Sequence, residues 1–279
     1  MNLRKLYLTK NECYIIGKKH TPKGIMVHST GANNPWLKRY VGPDDGLLGK
    51  NPNNNHWNQF RPGGRQVCVH AFIGKLADGT IATYQTLPWD MVGWHSGSGT
   101  KGNAGLKQGY IGFEICEDNL TDRNYFNAVY KEAVELCAYL CKLYNIPPEK
   151  PYLICHCEGY KLGIASNHGD VMHWFPKHGK SMDTFRADVK KQIEKDKMEG
   201  ELMEFIKKLT KKTGKTEAEV IDALAYLIKH ANVKEDEWER EGIDYLYKES
   251  KLINTMRPAN APVHWGEFGI VLKRFAVKK

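Results

Sequence analysis

Tyr110-Ile111-Gly112-Phe113-Glu114-Ile115-Cys116, followed after a short polar break by the run 123–144, is the stretch that decides the fold. Its first part alternates, so a strand would carry Ile111, Phe113 and Ile115 on one face and Gly112, Glu114 and Cys116 on the other. Its second part repeats at helical spacing, with Phe126, Val129, Ala133, Leu136, Leu140 and Leu143 in one stripe. Thr121 is the candidate N-cap, and Pro147 and Pro148 stop the helix. A strand that feeds a helix with one apolar stripe is an α/β unit, because that stripe must be buried against a sheet. Glu114 is the odd member. A charged carboxylate in an apolar strand is costly to bury unless something pairs with it. A metal ion or its bound water would meet that need.

Working outward, residues 24–30 read as a short buried strand that delivers His28 to its end, a common address for a metal ligand. Residues 31–65 are rich in Asn, Gly and Pro and read as a long surface loop with Trp36 and Trp57. Its aromatics and amides suit a sugar or peptide, and equally a solvated loop pinned by two tryptophans. Residues 67–74 and 79–85 form a hairpin through Ala77-Asp78-Gly79. Trp94-His95-Ser96-Gly97 opens a glycine-rich loop, 152–157 is a further strand, and 183–195 a short helix with Phe185, Val189 and Ile193 inward. These elements give an α/β domain over residues 1–195.

The charged stretch 195–201, with its glycine, reads as a linker to a second domain, 196–279. There the pattern turns helical: Leu202, Phe205, Ile206 and Leu209 make one stripe, and Val220, Ile221, Leu224, Leu227 and Ile228 another. Thr216 and Glu219 form a capping box, and 238–252 and 265–275 suggest two more helices. A small all-α domain without a catalytic cluster is the expectation.

The 279 residues, 41% hydrophobic and 26% charged, have an ordinary globular composition. No apolar run approaches the ~18–20 residues of a membrane span. The first sixteen residues are too polar for an export signal, so synthesis in the cytoplasm without a signal peptide is expected. The net charge of +9 favours a polyanionic partner. No zinc-finger, bZIP or RNA-recognition signature points to nucleic acid. The 7 cysteines lack C-x-x-C spacing and read as packed, reduced thiols.

The richest collection of polar chemistry is the loop His173-Trp174-Phe175-Pro176-Lys177-His178-Gly179-Lys180-Ser181-Met182-Asp183. A loop of that length can fold back so that His173 and Asp183 reach one metal. Zn²⁺ accepts nitrogen and oxygen ligands tetrahedrally, with three protein ligands and a water in a catalytic site. His178 is the main rival ligand, and His156 and His168 are weaker ones.

Five pieces in this order resemble the zinc-dependent N-acetylmuramoyl-L-alanine amidases of type 2, whose fold is shared with peptidoglycan recognition proteins. They are Met26-Val27-His28-Ser29-Thr30; His70-Ala71-Phe72-Ile73-Gly74 with Asp78-Gly79-Thr80-Ile81; Trp94-His95-Ser96-Gly97; Ile111 to Ile115; and 173–183. The resemblance implies a mixed central sheet flanked by helices, and Zn²⁺ held by His28, His173 and Asp183. It implies Glu114 as general base. Lys180 is a candidate oxyanion partner, and Thr30, His70, Trp94 and His95 are candidates for the substrate side, with His70 and His95 equally readable as merely hydrogen-bonded. Two departures stand out. Lys180 lies three positions before Asp183 where members often place the lysine two before their third ligand, and Ala71 stands where many have an aromatic. The implied substrate is peptidoglycan, cut between N-acetylmuramic acid and L-alanine. The implied setting is a phage or prophage endolysin acting on the wall after release, its helical tail binding the wall, with anionic wall polymers as a candidate partner. The alternatives are self-association for the tail and a non-catalytic peptidoglycan-recognition module for the fold.

Overall fold

A computed structural model of the chain describes residues 1–230, so the helices expected over 238–252 and 265–275 lie outside the described residues. In chain order the elements are β1 (Leu3–Lys5), α1 (Glu12–Ile16), β2 (Gly24–Ser29), β3 (Ala71–Lys75), β4 (Ile81–Gln85), α2 (Ala104–Gln108), β5 (Tyr110–Ile115), α3 (Arg123–Tyr144), β6 (Leu153–Cys155), α4 (His156–Lys161), α5 (Met182–Thr213) and α6 (Glu217–His230). Six strands make one sheet in the order β1-β4-β3-β5-β2-β6. Only the β3–β4 hairpin pairs antiparallel; β5, β2 and β6 are parallel neighbours. The sheet is mixed and helix-flanked, as the resemblance implies.

The alternation read in β5 holds. Ile111, Phe113 and Ile115 join Ile25, Val27, Ile73 and Leu153 under the buried stripe of α3, where Phe126, Val129, Ala133, Leu136 and Leu140 lie. Leu143, placed in that stripe from the sequence, is 49% exposed at the helix end. The N-cap is one residue later than expected. Asp122, not Thr121, accepts hydrogen bonds from the backbone N–H groups of Asn124 and Tyr125, while Thr121 turns its hydroxyl to Asn119. The other face of β3 and β4 is covered by the long 31–65 segment, which is less a solvated loop than a second core. Leu37, Tyr40, Val41 and Leu48 are buried there, with Tyr40 stacked on Phe72 at 5.2 Å and Trp57 edge-on to Phe72 at 5.1 Å.

The chain divides into two compact units, Met1–Glu194 and Lys195–Lys279. The linker expected at 195–201 is helical, being part of α5. Its charges sit at helical spacing, Lys195 with Glu199 at 3.7 Å and Lys197 with Glu201 at 3.9 Å. A charge run spaced by four residues is a solvated helix face, and one glycine costs only ~1 kcal/mol against alanine. In the second unit Ile206, Val220, Ala223 and Leu224 are buried, and Thr216 and Glu219 form the expected capping box. No helix among the described residues is long and apolar enough to cross a membrane.

The cap assignment is testable. Asp122→Ala should cost about 1 kcal/mol in denaturant unfolding, and Thr121→Ala no more than about 0.5 kcal/mol. The reverse order would restore Thr121 as the cap.

Candidate metal centre

Three adjacent parallel strands end on the same edge of the sheet, where α/β folds place their ligands. β2 brings His28 to that edge. β5 brings Glu114, which is directly paired with His28 and therefore on the same face. β6 ends at Cys155, and His156 follows as the first residue of α4. The fourth contribution is Asp170, at the start of a 3-10 turn, in left-handed backbone with φ +45°. Non-glycine residues hold that conformation at a cost, and such strain concentrates at functional sites.

These side chains converge. His28 Nδ1 lies 3.1 Å from His156 Nδ1 and 3.5 Å from Asp170 Oδ1, and His156 Nδ1 lies 3.1 Å from Asp170 Oδ2. His28, His156 and Asp170 form the one group of potential metal ligands of this kind among the described residues. His95 fixes the tautomer of His28. Its Nε2 lies 3.1 Å from the Tyr110 carbonyl, which can only accept, so that nitrogen carries the proton. Burial, with the neighbouring His28 and His70, pushes His95 well below the usual imidazole range, so it is neutral and its Nδ1 accepts. His28 Nε2–H then donates to it at 3.0 Å, leaving the Nδ1 lone pair facing His156 and Asp170. Burial also holds His28 itself below its ordinary value, against the opposing pull of Asp170. A neutral imidazole with a fixed free lone pair is the form that binds metal.

The carboxylates complete the electrostatics. Burial pushes Asp170 up, but hydrogen bonds and charge from His156 and His28 outweigh it and hold the group below the usual range. Glu114 goes the other way: burial first, then the charges of Asp170 and Glu117, raise it well above an ordinary carboxyl. Glu114 Oε2 is buried and accepts no hydrogen bond. A buried carboxyl oxygen left without a donor, on the strand position paired with His28, is what a divalent cation would satisfy. Two nitrogens and an oxygen also fit Zn²⁺ with one position left for water.

The structure does not bring together the ligand set implied by the sequence. His28 stands where expected, but His173 and Asp183 do not join it. His173 Nε2 pairs with Glu117 at 3.0 Å, its side chain 42% exposed. Asp183 is 84% exposed and bound to Arg186 at 2.6 Å. The physical reason is that 173–183 is not one open loop. Asp170–His173 and Phe175–His178 coil into successive 3-10 turns, and Ser181 then exchanges hydrogen bonds with Thr184 to start α5, leaving Asp183 as a first-turn acid. Lys180 also turns away, to Asp188 at 2.8 Å and over the Tyr130 ring of α3. His178, the main rival, is stacked on Phe126 at 4.1 Å and donates to the Leu120 carbonyl. The weak rival His156 is the histidine that reaches His28.

Of the expected substrate-side residues, His70 is fully buried, pinned between the Met91 carbonyl and the Gly112 N–H. Burial lowers it to about 4, so it is a neutral structural group. His95 backs His28 rather than facing a substrate. Thr30 accepts from the Glu117 N–H at 3.0 Å, and Trp94 packs beside Leu8, Val69 and their cluster. The two members of the cluster that the sequence reading passed over did leave signals. His156 follows the apolar run Leu153-Ile154-Cys155 much as His28 follows Ile25-Met26-Val27, and Asp170 follows the turn-forming Asn167-His168-Gly169.

The fold is an α/β domain with a group of possible metal ligands at one strand edge. Comparison with known proteins narrows that class, since residues 18–178 match the N-acetylmuramoyl-L-alanine amidase family. The match covers more than half of the chain, and the chain belongs to that family. The matched span contains His28, Glu114, His156 and Asp170 and ends before Asp183. The curated N-acetylmuramoyl-L-alanine amidase CwlH of Bacillus subtilis (strain 168) is 36% identical over 97 residues, covering 30% of this chain and 37% of that protein. The chain thus aligns with little more than a third of that relative's length. Among solved structures, PlyL is 19% identical with a TM-score of 0.46 over 68% of this chain and 97% of that one. The catalytic domain of XlyA is 21% identical with a TM-score of 0.45, over 68% and 99%.

The ligand assignment has a direct test. His156→Ala and Asp170→Ala should each lose bound zinc in metal analysis of dialysed protein, whereas Asp183→Ala and Lys180→Ala should keep wild-type content. Zinc lost from Asp183→Ala but kept by Asp170→Ala would reinstate the sequence-implied set.

Proposed function

We propose that this chain is a zinc-dependent N-acetylmuramoyl-L-alanine amidase that hydrolyses the amide between the lactyl group of N-acetylmuramic acid and L-alanine in peptidoglycan. The observation that carries the reading is the convergence of His28, His156 and Asp170 beside the strand-paired Glu114. The family match and the name of the B. subtilis relative support it. His28, His156 and Asp170 would hold Zn²⁺. When bound, the ion supplies Lewis acidity and lowers the pKa of a water to about 7.

The chain's own residues supply the proton traffic. Glu114 lies in a desolvated position that favours its protonated form. A cation at the adjacent cluster favours the carboxylate instead. A carboxyl balanced between those states can take a proton from the attacking water and return it to the departing amine nitrogen. Tautomer control belongs to the residues behind the cluster. His95 orients His28, and Ser166 Oγ, 3.4 Å from His156 Nε2, accepts its proton when Nδ1 is the ligand. Ser166 is in turn 3.0 Å from Nδ1 of the exposed His168. With Lys180 directed elsewhere, His168 is placed to donate a hydrogen bond to a substrate oxygen. Thr30 and Trp94, both half-buried near the end of β2 and in the loop before α2, remain our assignment for substrate contact.

Glu114→Gln should keep zinc and cooperative unfolding but lose at least ~10²-fold in release of free L-alanine amino termini from purified wall. Chelator should abolish wild-type release and Zn²⁺ restore it. Full release by Glu114→Gln would remove it as the base, and no release by the zinc-loaded wild type would leave a recognition module.

For residues 196–279 we propose wall binding, motivated by a separate compact unit with no cluster of metal ligands among its described residues. A chain ending after Thr213, where α5 stops, should sediment with purified walls more weakly than the full chain. Equal sedimentation would favour self-association or another role. Anionic wall polymers are the partner that the charge of +9 favours, and the endolysin setting follows from the same reading.

A further inference from the structure

Cys155 and Cys157 stand on either side of His156, and their sulfurs are 3.5 Å apart, in contact but unbonded. Cys155 is fully buried at the end of β6, where Val27 of β2 is its strand partner. Its backbone N–H donates to Glu158 at 3.2 Å, so it is anchored from both sides. Cys157, in the first turn of α4, is half-buried. The other cysteines, Cys13, Cys68, Cys116, Cys137 and Cys141, are all buried, so Cys157 is the one thiol among the described residues that a small reagent reaches readily. A reachable thiol touching a buried one is the arrangement that turns a first oxidation into a disulfide.

We infer that Cys155 and Cys157 are an oxidative modification site for peroxide-class oxidants, whose closure to a disulfide displaces His156 and weakens metal retention. The Cys157 sulfur attacks the peroxide O–O bond, giving a sulfenic acid and one water. Cys155 sulfur then attacks that sulfenic sulfur, forming the S–S bond and expelling a second water. Two thiols are oxidised and one peroxide is reduced to two waters.

The consequence follows from geometry. A disulfide needs sulfurs about 2.05 Å apart, so the pair must close by about 1.5 Å from its present 3.5 Å. Cys155 is held in the sheet, so the movement falls on Cys157 and on the intervening backbone of His156. His156 Nδ1 sits 3.1 Å from both His28 and Asp170, and it cannot move with the helix start and keep both contacts. The coupling to zinc rests on the metal reading of the cluster; the thiol pairing does not.

The experiment treats the full-length, zinc-loaded chain with hydrogen peroxide and reads three quantities. These are the mass of the peptide containing 155–157 after alkylation, zinc released to a chromogenic chelator, and amidase activity. The expected result is loss of two hydrogens on that peptide, with zinc retention falling on the order of 10- to 100-fold. Activity should fall in parallel, and a thiol reductant should reverse all three. Cys157→Ser, which keeps His156 and the cluster, should hold zinc and activity through the same treatment, and Cys155→Ala should do likewise. The proposal is overturned if no disulfide links these two residues, if it forms while zinc stays bound, or if Cys157→Ser loses zinc as fast as wild type. A chain that never binds zinc would instead fail the amidase reading, since the mass measurement reports the thiol pair without any metal.

Discussion

The constraint on which the rest depends is the parallel pairing of β5 with β2 and of β2 with β6. Parallel neighbours all finish on one edge, so residues far apart in sequence arrive at one place without any loop having to carry them there. His28 and Glu114 are held side by side by strand register, and His156 needs only the first residue after β6. The opposite face of these strands is locked by the α3 stripe. Alternation then places the polar set on the face away from that helix. The sheet thus fixes three of the four groups to within the tolerance of backbone hydrogen bonds. Asp170 alone is delivered by a turn, and it is the one held in left-handed backbone.

Burial does opposite things to the imidazoles and the carboxyls, and the site depends on both. It keeps His28 and His95 neutral, which preserves lone pairs, and it raises Glu114, which keeps a proton available. Asp170 escapes only because two histidines point at it. The chain alone can reconcile His28 Nδ1, His156 Nδ1 and Asp170 Oδ2 by placing a single proton on His156 Nδ1. A cation in the cluster would take the place of that proton, and the neutral His156 ring would carry it on Nε2 instead, toward Ser166. That is a change of tautomer within one ring and releases no proton by itself.

How much of this was legible depended on whether the signal was local. The β5 alternation, the α3 stripe and the β3–β4 hairpin are written in contiguous residues, and so was the anomaly of Glu114. His28 was legible because four apolar or small residues precede it. His156 was obscured because a strand drawn to 157 makes it one more alternating position, whereas β6 stops at Cys155 and frees it to begin a helix. The 173–183 segment misled in the opposite way. Its aromatics suggested an open functional loop, yet Trp174 and Phe175 are core residues against α3, and their burial is what forces the chain into 3-10 turns. Asp183 then becomes a helix-start acid, a role a sequence favours as readily as ligation. The boundary near 195 was legible, but the helix running through 195–201 was not, since a charged run with a glycine is also a solvated helix surface. β1, only three residues long, is too short for any period to show.

The same packing ties stability to occupancy. A cluster whose lone pairs and carboxylate oxygens face one another is repulsive unless a proton or cation sits among them, and orphaned buried oxygens cost on the order of 1–3 kcal/mol each. An ion that binds the folded chain and not the unfolded one returns about 2.7 kcal/mol at a hundred times its dissociation constant. That is comparable to the cost of the one orphaned oxygen of Glu114. The residues gathered at the strand edge are therefore the ones least comfortable without a cation, and the buried sheet behind them carries that burden. This explains why the supporting contacts are so short-range and rigid: His95 on a backbone carbonyl, His70 between two backbone groups, Arg186 tying Leu153 and Glu158 to α5. A looser frame would let the imidazoles separate when empty, and the lone pairs would no longer be preset for a cation.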